Sequence, residues 1–261
     1  MRTVVRTIVA PFLIMTACTA APTDAADTSS GHPSPAAASL TVPTVTSARP
    51  TVATAPAVTS TPRVTAAAAS RALPAFTWSQ RRVTAANLPH SWRRGCPVAP
   101  SALRALTLRF YGFDGRSHDG VLVVAASSVT DVVAVFRKLY AERFPIRRMI
   151  PVDAYGGSDD RSVAADNTAG FNCRKAVTTG PASWSMHAYG LAIDINPVEN
   201  PYIEGGRVIP PAGSAFVNRS RVRPGMALRG TTVVAAFATR GWKWGGTWSS
   251  PDYQHFSTNG R

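Results

Sequence analysis

The chain has 261 residues, of which 45% are hydrophobic and 16% are charged, and its formal net charge is +14. This length is sufficient for one folded domain with a sizeable core. A basic surface can serve nucleic acid, but no nucleic-acid recognition motif accompanies the charge, so this class of function is disfavoured.

The first eighteen residues predict an export signal. Two arginines precede a brief apolar run over residues 7–15, which is too short for a membrane-spanning helix. Residues 15–18, MTAC, then resemble a bacterial lipobox, with Met in place of the more usual Leu. We therefore predict a lipoprotein signal peptide over residues 1–17 and lipidation of Cys18. The alternative is an ordinary secretory signal that happens to contain this cysteine.

Residues 18–74 predict a disordered tether. They are almost entirely Ala, Thr, Pro, Ser and Val, a composition that cannot bury enough surface to offset the entropy of ordering. A flexible chain of this length spans roughly 40 Å. We expect a domain that is lipid-anchored to the outer face of a bacterial cell membrane, within reach of the wall, or is secreted to the wall. The positive charge would then provide loose retention at anionic envelope polymers and lipids.

Residues 75–261 predict one folded domain of the α+β class. Residues 106–113 and 120–126 predict two strands joined by a polar turn, and residues 149–152 predict a third strand. Strands that alternate unevenly with few helices favour a mixed or antiparallel sheet flanked by helices over a βαβ repeat.

Two helices are predicted in this domain. Residues 128–131 indicate a capping box that opens a helix running to about Arg143. Its apolar face comprises Val132, Val135, Phe136, Leu139 and Tyr140. Residues 230–240 predict the second helix, which stops at Gly241. Its inward side chains are Val233, Val234 and Phe237.

The chain contains three cysteines. If Cys18 carries lipid, Cys96 and Cys173 remain as an even pair in an oxidising compartment, which predicts a disulfide between them. Two free buried thiols are the alternative.

The stretch over residues 183–196, SWSMHAYGLAIDIN, predicts a metal site. Its second half alternates between apolar and small or polar residues, as a strand does, and places Asp194 on the polar face. His187 precedes this carboxylate by seven residues, across a turn in which Gly190 allows a left-handed backbone. An imidazole and a carboxylate can thus converge above the strand. With His255 as a third ligand, they meet the requirement of a catalytic zinc ion, which keeps one position open for water.

These residues carry a resemblance to a known family. The pattern SxHxxGxAxD over residues 185–194, followed by DxxH over residues 252–255, is similar to the two-part signature of the zinc D-alanyl-D-alanine carboxypeptidase and endolysin peptidase family. The resemblance covers about residues 155–256. It implies a core shared with lysostaphin-type peptidases and Hedgehog domains, and an enzyme that cuts peptidoglycan stem peptides with Zn²⁺.

The resemblance also implies two catalytic residues. Asp252 would be the proton shuttle, although many relatives have Glu there and Asp is one methylene shorter. Its alternative role is that of a turn residue after Pro251. Arg174 lies where relatives carry an arginine that faces the scissile group, and a guanidinium there would bind an oxyanion or the substrate carboxylate. A plain surface role is the alternative for this arginine.

Three further residues are assigned to the substrate site. Ser185 is expected to fix the ligand loop by hydrogen bonding, and it lacks a neighbouring base that would make it a nucleophile. Trp244 and Tyr253 belong to a group of aromatic residues around both halves of the motif. They would wall the substrate groove, or else pack in the core as most aromatic residues do.

The leading hypothesis is a monomeric, envelope-anchored zinc D-alanyl-D-alanine carboxypeptidase. Its partners would be peptidoglycan stem peptides and, through the lipid, the membrane, with no nucleic acid. One alternative is a peptidoglycan endopeptidase of the L-Ala-D-Glu type. Another is a non-catalytic zinc-containing module that binds the cell wall.

Overall fold

The computed structural model describes residues 73–177 and 181–261. The predicted signal peptide, the lipidation of Cys18 and the tether up to residue 72 lie outside the described residues and stay predictions. Within the described part, no helix combines the length and the apolarity needed to cross a membrane.

The largest sheet is built around a long hairpin. Strands β1 (Trp78–Arg82), β2 (Leu103–Gly112) and β3 (Ser117–Ala125) pair antiparallel in this order, and β4 (Pro145–Ile146) pairs parallel with the end of β2. The turn between β2 and β3 is shorter than predicted. Asp114 accepts a hydrogen bond from the backbone N–H of Arg116 and pairs with His118, which lets β3 begin soon after the turn.

The main core lies between this hairpin and two helices. Helix α1 (Val129–Ala141) buries the predicted apolar face, and α3 (Thr232–Ala238) packs beside it. Phe237 of α3 stacks on Phe256 with ring centroids 4.2 Å apart, which joins this core to the strand that carries His255. The predicted stop of α3 is confirmed, because Gly241 has a φ of 77° and its N–H donates to the carbonyl of Ala238.

The remaining elements form two small antiparallel sheets and one short helix. Strands β5 (Ala192–Asp194), β9 (His255–Ser257) and β8 (Lys243–Trp244) pair in that order. The other sheet is a hairpin of β6 (Tyr202–Glu204) and β7 (Arg207–Ile209), and α2 (Asp159–Ala164) follows a turn of 3₁₀ helix. The fold is thus α+β with antiparallel sheets and few helices, which confirms the predicted class.

Two local predictions are wrong. Ser128 makes no side-chain capping bond, because a 3₁₀ helix over Ala126–Ser128 already turns the chain and gives this residue helical dihedral angles. Residues 149–152 form no strand. The side-chain amide of Asn167 binds both the N–H and the C=O of Ile150, at 3.0 and 2.9 Å, so these groups are unavailable for a sheet, and the chain enters a 3₁₀ helix at Val152.

The predicted disulfide is present. Cys96 and Cys173, 77 residues apart in the sequence, are bonded to each other. The same two segments are also joined by the backbone N–H of Cys173, which donates to the carbonyl of Ser91 at 2.9 Å, and by the side chain of Arg93, which donates to the carbonyl of Cys173 at 2.6 Å. The covalent bond therefore reinforces a contact that is already hydrogen-bonded.

A network of buried amides holds the segment that follows β5. The side-chain NH₂ of Asn196 donates to the carbonyls of Pro145 and Gly225, and that of Asn200 donates to the carbonyls of Ile195 and Gly225. Both asparagines are fully buried, so each of these bonds satisfies an amide N–H that water does not reach. The network fixes the chain directly after Asp194.

A buried carboxyl pair lies beside this network. Burial raises the pKa of Glu199 to about 7, with further contributions from a hydrogen bond to Asp166 and from its negative charge; the guanidinium of Arg147 opposes the shift. Arg147 lies 3.4 Å from an oxygen of each acid, and one oxygen of Glu199 has no hydrogen-bond partner in the described part of the chain. The carboxyl of Glu199 therefore takes up a proton below neutral pH.

We predict that Glu199→Gln removes a pH dependence of stability. The folded-state pKa of Glu199 lies above the ordinary value of 4.5, so between the two values the native state binds more protons and stability falls as the pH rises. This loss amounts to on the order of 2 kcal/mol between pH 5 and pH 8. Denaturant unfolding of the wild type and Glu199→Gln in chelator, at the two pH values, measures this loss.

Glu204→Gln, at a half-buried hairpin acid, serves as the control and should behave as wild type. An unchanged pH dependence in Glu199→Gln contradicts the prediction.

Candidate metal centre

His187 lies on a single turn of 3₁₀ helix, Met186–Tyr189. The Oγ of Ser185 accepts a hydrogen bond from the backbone N–H of His187 at 3.3 Å and so caps the start of this turn. Gly190 ends it with a φ of 68°, and a Cβ added there would lie 2.5 Å from the backbone nitrogen of Ala125. Glycine tolerates both the positive φ and this short distance, so the turn can pack closely against β3.

The other two ligand candidates lie opposite each other on neighbouring strands. Asp194 of β5 and His255 of β9 are register partners in the antiparallel pair. Oδ1 of Asp194 is 3.0 Å from Nδ1 of His255, and Oδ2 is 3.1 Å from Nε2 of His187. The two imidazole nitrogens are 3.2 Å apart. All three side chains are buried, and their ligand atoms lie within 4.8 Å of one another.

Hydrogen bonds on the outer sides of both rings determine which nitrogens face inward. Nδ1 of His187 lies 2.6 Å from the carbonyl oxygen of Gly170, and Nε2 of His255 lies 3.0 Å from that of Arg261. A carbonyl can only accept, so each of these nitrogens carries the proton. The inward nitrogens of the neutral rings then present lone pairs to each other and to the carboxylate of Asp194. Three acceptors converging in a buried space require a cation or a proton between them.

The donor set fits zinc. Two imidazole nitrogens and one carboxylate are a common ligand set for a catalytic Zn²⁺, and tetrahedral bonds of about 2.0–2.1 Å place ligand atoms about 3.3 Å apart. The distances found here are 3.0–3.2 Å, with a different oxygen of Asp194 facing each imidazole, and with one atom taken from each residue the ligand atoms lie within 4.8 Å of one another. Rings whose outer N–H groups donate to carbonyls are also the usual arrangement around a bound metal ion.

Electrostatics at the site favour positive charge. Burial opposes ionisation of Asp194, but the charges and hydrogen bonds of His187 and His255 outweigh it and hold the pKa of this carboxyl below its usual range. Burial likewise opposes the charged form of His255, yet Asp194 raises its pKa above the ordinary value. A proton on His255 competes with a metal ion for the same lone pair, so affinity for the metal falls as the pH falls.

Asp252 lies beside these ligands, at the loop that leads into β9. Its backbone N–H donates to the carbonyl of Gly245 at 3.1 Å, and its carbonyl accepts from the N–H of His255 at 3.3 Å. Burial and, next, the negative charge of Asp194 raise the pKa of Asp252 to about 7, against the effects of His255 and Arg174. Its Oδ1 is buried and has no hydrogen-bond partner among the residues described. A carboxyl in this state can accept and release a proton near neutral pH.

Arg174 is brought to the same site. Burial disfavours its charged form, but the carboxylates of Asp159, Asp194 and Asp252 outweigh burial and raise the pKa of the guanidinium. Its Nε lies 2.9 Å from Oδ1 of Asp159, and its side chain is 25% exposed. The guanidinium therefore lies within the field of both site carboxylates and remains in contact with solvent.

The two aromatic residues assigned to substrate are largely occupied by protein contacts. Trp244 donates its indole N–H to the carbonyl of Tyr253 at 2.8 Å and packs against the main core. The Tyr253 ring faces the guanidinium of Arg219 at 4.3 Å. The aromatic residue found against a ligand is Trp248, whose ring centroid is 5.3 Å from that of His255. The sequence alone did not distinguish Trp248 from the other aromatic residues around the motif.

A family comparison covers this part of the chain. Residues 178–258 match the peptidase M15 family model described as D-alanyl-D-alanine carboxypeptidase. The matched range contains the three ligand candidates and Asp252, and it begins after Arg174. No curated protein and no solved structure matches the chain significantly. The family match and the His-Asp-His group together support a metallopeptidase that acts on peptidoglycan.

We predict that the purified chain binds one zinc ion and that Asp194→Asn loses it, because the amide removes the negative charge between the two imidazoles. Elemental analysis after dialysis gives the stoichiometry, and the rise in the midpoint of thermal unfolding on adding zinc gives a second measure. Asp114→Asn, which removes a surface carboxylate that also pairs with a histidine, is the matched control and should retain the metal. Equal zinc content in the wild type and Asp194→Asn would show that the three side chains do not form the site.

Proposed function

We propose that this protein is a zinc peptidase that hydrolyses peptidoglycan stem peptides, acting as a D-alanyl-D-alanine carboxypeptidase. The observation that carries the proposal is the convergence of three buried metal-binding atoms beside the carboxylate of Asp252, whose buried Oδ1 has no hydrogen-bond partner in the described structure. The family match supports the same chemistry at the level of the peptidase class. We further propose that the antiparallel strands around the site form the core shared with Hedgehog domains and lysostaphin-type peptidases.

His187, Asp194 and His255 would hold the zinc ion. When bound, it supplies a Lewis acid that polarises the scissile carbonyl and makes water more acidic. Asp252 accepts the proton of the attacking water on its free carboxylate oxygen and passes it to the leaving amine. Its raised pKa suits both transfers, because a carboxyl that titrates near the working pH can act as base and then as acid.

Arg174 would bind negative charge on the substrate. Its guanidinium faces the site and can donate to the oxyanion that develops at the scissile carbonyl, or to the terminal carboxylate of the peptide. The terminal carboxylate lies next to the scissile bond only when the last residue is the one removed, so an arginine that binds this carboxylate favours a carboxypeptidase, as does the description of the matched family. An endopeptidase of the L-Ala-D-Glu type is the second candidate, and the family match is compatible with either bond.

The remaining assignments concern surroundings and location. We propose that Tyr253, Trp244 and Trp248 wall the approach to the metal and that Ser185 supports the turn of His187. We also propose lipidation at Cys18, a tether over residues 18–74, a position at the outer face of the cell membrane and a monomeric state. A non-catalytic wall-binding module is the other class of function, and the retention of a carboxylate at position 252 argues against it.

Asp252→Ala should abolish hydrolysis while leaving zinc bound, because the substitution removes the proton shuttle and none of the three ligand atoms. A loss of on the order of 10²- to 10⁴-fold in kcat is expected for a general acid–base group. Turnover of a stem pentapeptide and zinc content are measured on the same preparation. Full turnover by Asp252→Ala would assign the proton transfers to another group.

Digestion of purified muropeptides tests the proposed substrate. The zinc-loaded protein should release terminal D-Ala from pentapeptide stems, and chelator should stop the release. Mass spectrometry of the products distinguishes this from cleavage between L-Ala and D-Glu, which would identify the endopeptidase. If no stem peptide is cut while zinc is bound, the protein is a binding module.

A further inference from the structure

The guanidinium of Arg174 needs a partner near Nε, the nitrogen closest to the side-chain stem, to keep one orientation. An arginine side chain has many rotamers, and a partly exposed guanidinium has water as a competing partner. In the structure its Nε lies 2.9 Å from Oδ1 of Asp159, a close ion pair in which the Nε–H is not aligned for a hydrogen bond. Of the two outer nitrogens, Nη1 donates to the carbonyl of Lys175 at 3.4 Å, a long hydrogen bond that substrate could replace.

Asp159 lies far from the sequence motifs of the site. It is the first residue of α2, it precedes the range matched by the family comparison, and its side chain is 34% exposed. Ser158 caps this helix by accepting from the backbone N–H of Arg161, so the carboxylate of Asp159 is not needed as a cap. Its contacts point to the segment that carries Arg174.

A second contact links Asp159 to the segment that lies beside the metal centre. Oδ1 of Asp159 also lies 3.4 Å from the side-chain nitrogen of Asn172, which is 4% exposed. The backbone N–H of Asn172 donates to the carbonyl of His187, and the carbonyl of Arg174 accepts from the N–H of Ser185, both at 3.1 Å. The carboxylate thus joins α2 to the segment that runs along the ligand-bearing turn.

Charge gives Asp159 a further role. The guanidinium of Arg174 interacts with three carboxylates, those of Asp159, Asp194 and Asp252. If Asp159 were neutral, the remaining attraction would draw the guanidinium toward Asp194 and Asp252. An arginine paired with Asp252 would occupy the carboxylate that must take up a proton. The contact with Asp159 therefore keeps the cation near the site and apart from the shuttle.

We propose that Asp159 is a positioning residue of the peptidase site, which holds the guanidinium of Arg174 in the orientation that binds the negative charge of the substrate. The inference rests on the proposed function, and it adds a residue that lies outside the motif and outside the matched range. Asp159 acts through Arg174 and touches neither metal nor substrate.

The test compares four variants for hydrolysis of a stem pentapeptide: Asp159→Asn, Asp159→Glu, Arg174→Ala and the double variant Asp159→Asn/Arg174→Ala. Asp159→Asn should lower kcat/KM about 10- to 100-fold with zinc content unchanged, which is less than the roughly 10²- to 10³-fold cost of removing one oriented donor, because Arg174 itself is still present. A fall in kcat alone assigns Arg174 to the oxyanion, and a rise in KM alone assigns it to the substrate carboxylate. Asp159→Glu should restore most of the activity, because it keeps the charge.

The double variant separates positioning from a general effect on the fold. If Asp159 acts through Arg174, adding Asp159→Asn to Arg174→Ala should cost less than threefold, because the group to be positioned is already absent. Asp160→Asn, at the exposed next residue of α2, is the matched control and should have wild-type kinetics.

Several results would overturn the inference. They are wild-type kinetics in Asp159→Asn, multiplicative losses in the double variant, and loss of zinc from Asp159→Asn, which would assign the residue to the construction of the metal site. Wild-type kinetics in Arg174→Ala would also overturn it while leaving the proposed peptidase intact. Failure of the proposed function is distinct, because then the unmodified zinc-loaded protein cuts no stem peptide.

Discussion

The structure depends on three converging lone pairs that require a metal ion or a proton between them. Both imidazoles of the centre use their single N–H on a backbone carbonyl, and their other nitrogens meet the carboxylate of Asp194. In a buried space such an arrangement is repulsive unless a positive charge occupies it. The elements around it, namely the 3₁₀ turn of His187 and strands β5 and β9, are held by independent contacts, so the arrangement does not relax by moving apart.

Those independent contacts come from several directions. The disulfide between Cys96 and Cys173 and the hydrogen bonds beside it fix the segment before Arg174. The buried amides of Asn196 and Asn200 fix the chain after Asp194. The stacking of Phe237 on Phe256 connects the strand of His255 to the main core. A site supported in this way already has its shape before a metal ion or substrate binds, so little conformational freedom is lost on binding. Such preorganisation is a general requirement for catalysis by electrostatic stabilisation.

The group of candidate metal ligands could be predicted from the sequence because the residues lie in two short motifs with side chains that bind metal ions. His187 and Asp194 lie seven residues apart around a turn that requires Gly190, and His255 belongs to a second short motif. Helix α1 was predictable because its apolar residues follow the helical period. The failure at residues 149–152 has a different cause, since the backbone of Ile150 is satisfied by the side chain of Asn167, and no periodic pattern reports such a bond.

The residues that support the site could not be predicted from sequence patterns. The acceptors that orient the two imidazoles are backbone carbonyls of Gly170 and Arg261, and every residue type offers a carbonyl. Asp159 and Arg174 are 15 residues apart and belong to a helix and an irregular segment, so neither helical nor strand spacing connects them. Trp248 was one of several clustered aromatic residues, and its contact with His255 depends on the path of the loop before β9.

The register of β3 has a consequence for how this chain can vary in length. The carbonyl of Val123 accepts from the N–H of Phe171, next to the acceptor of His187, and the N–H of Ala125 donates to the carbonyl of Gly190. These two hydrogen bonds hold the chain on both sides of the site, one beside the acceptor of His187 and one at the end of the turn that carries His187. The hairpin tip between β2 and β3 takes part in neither of these two hydrogen bonds. A single extra residue near Val123 would instead shift one flank relative to the other and separate the imidazole from its strand-borne carboxylate.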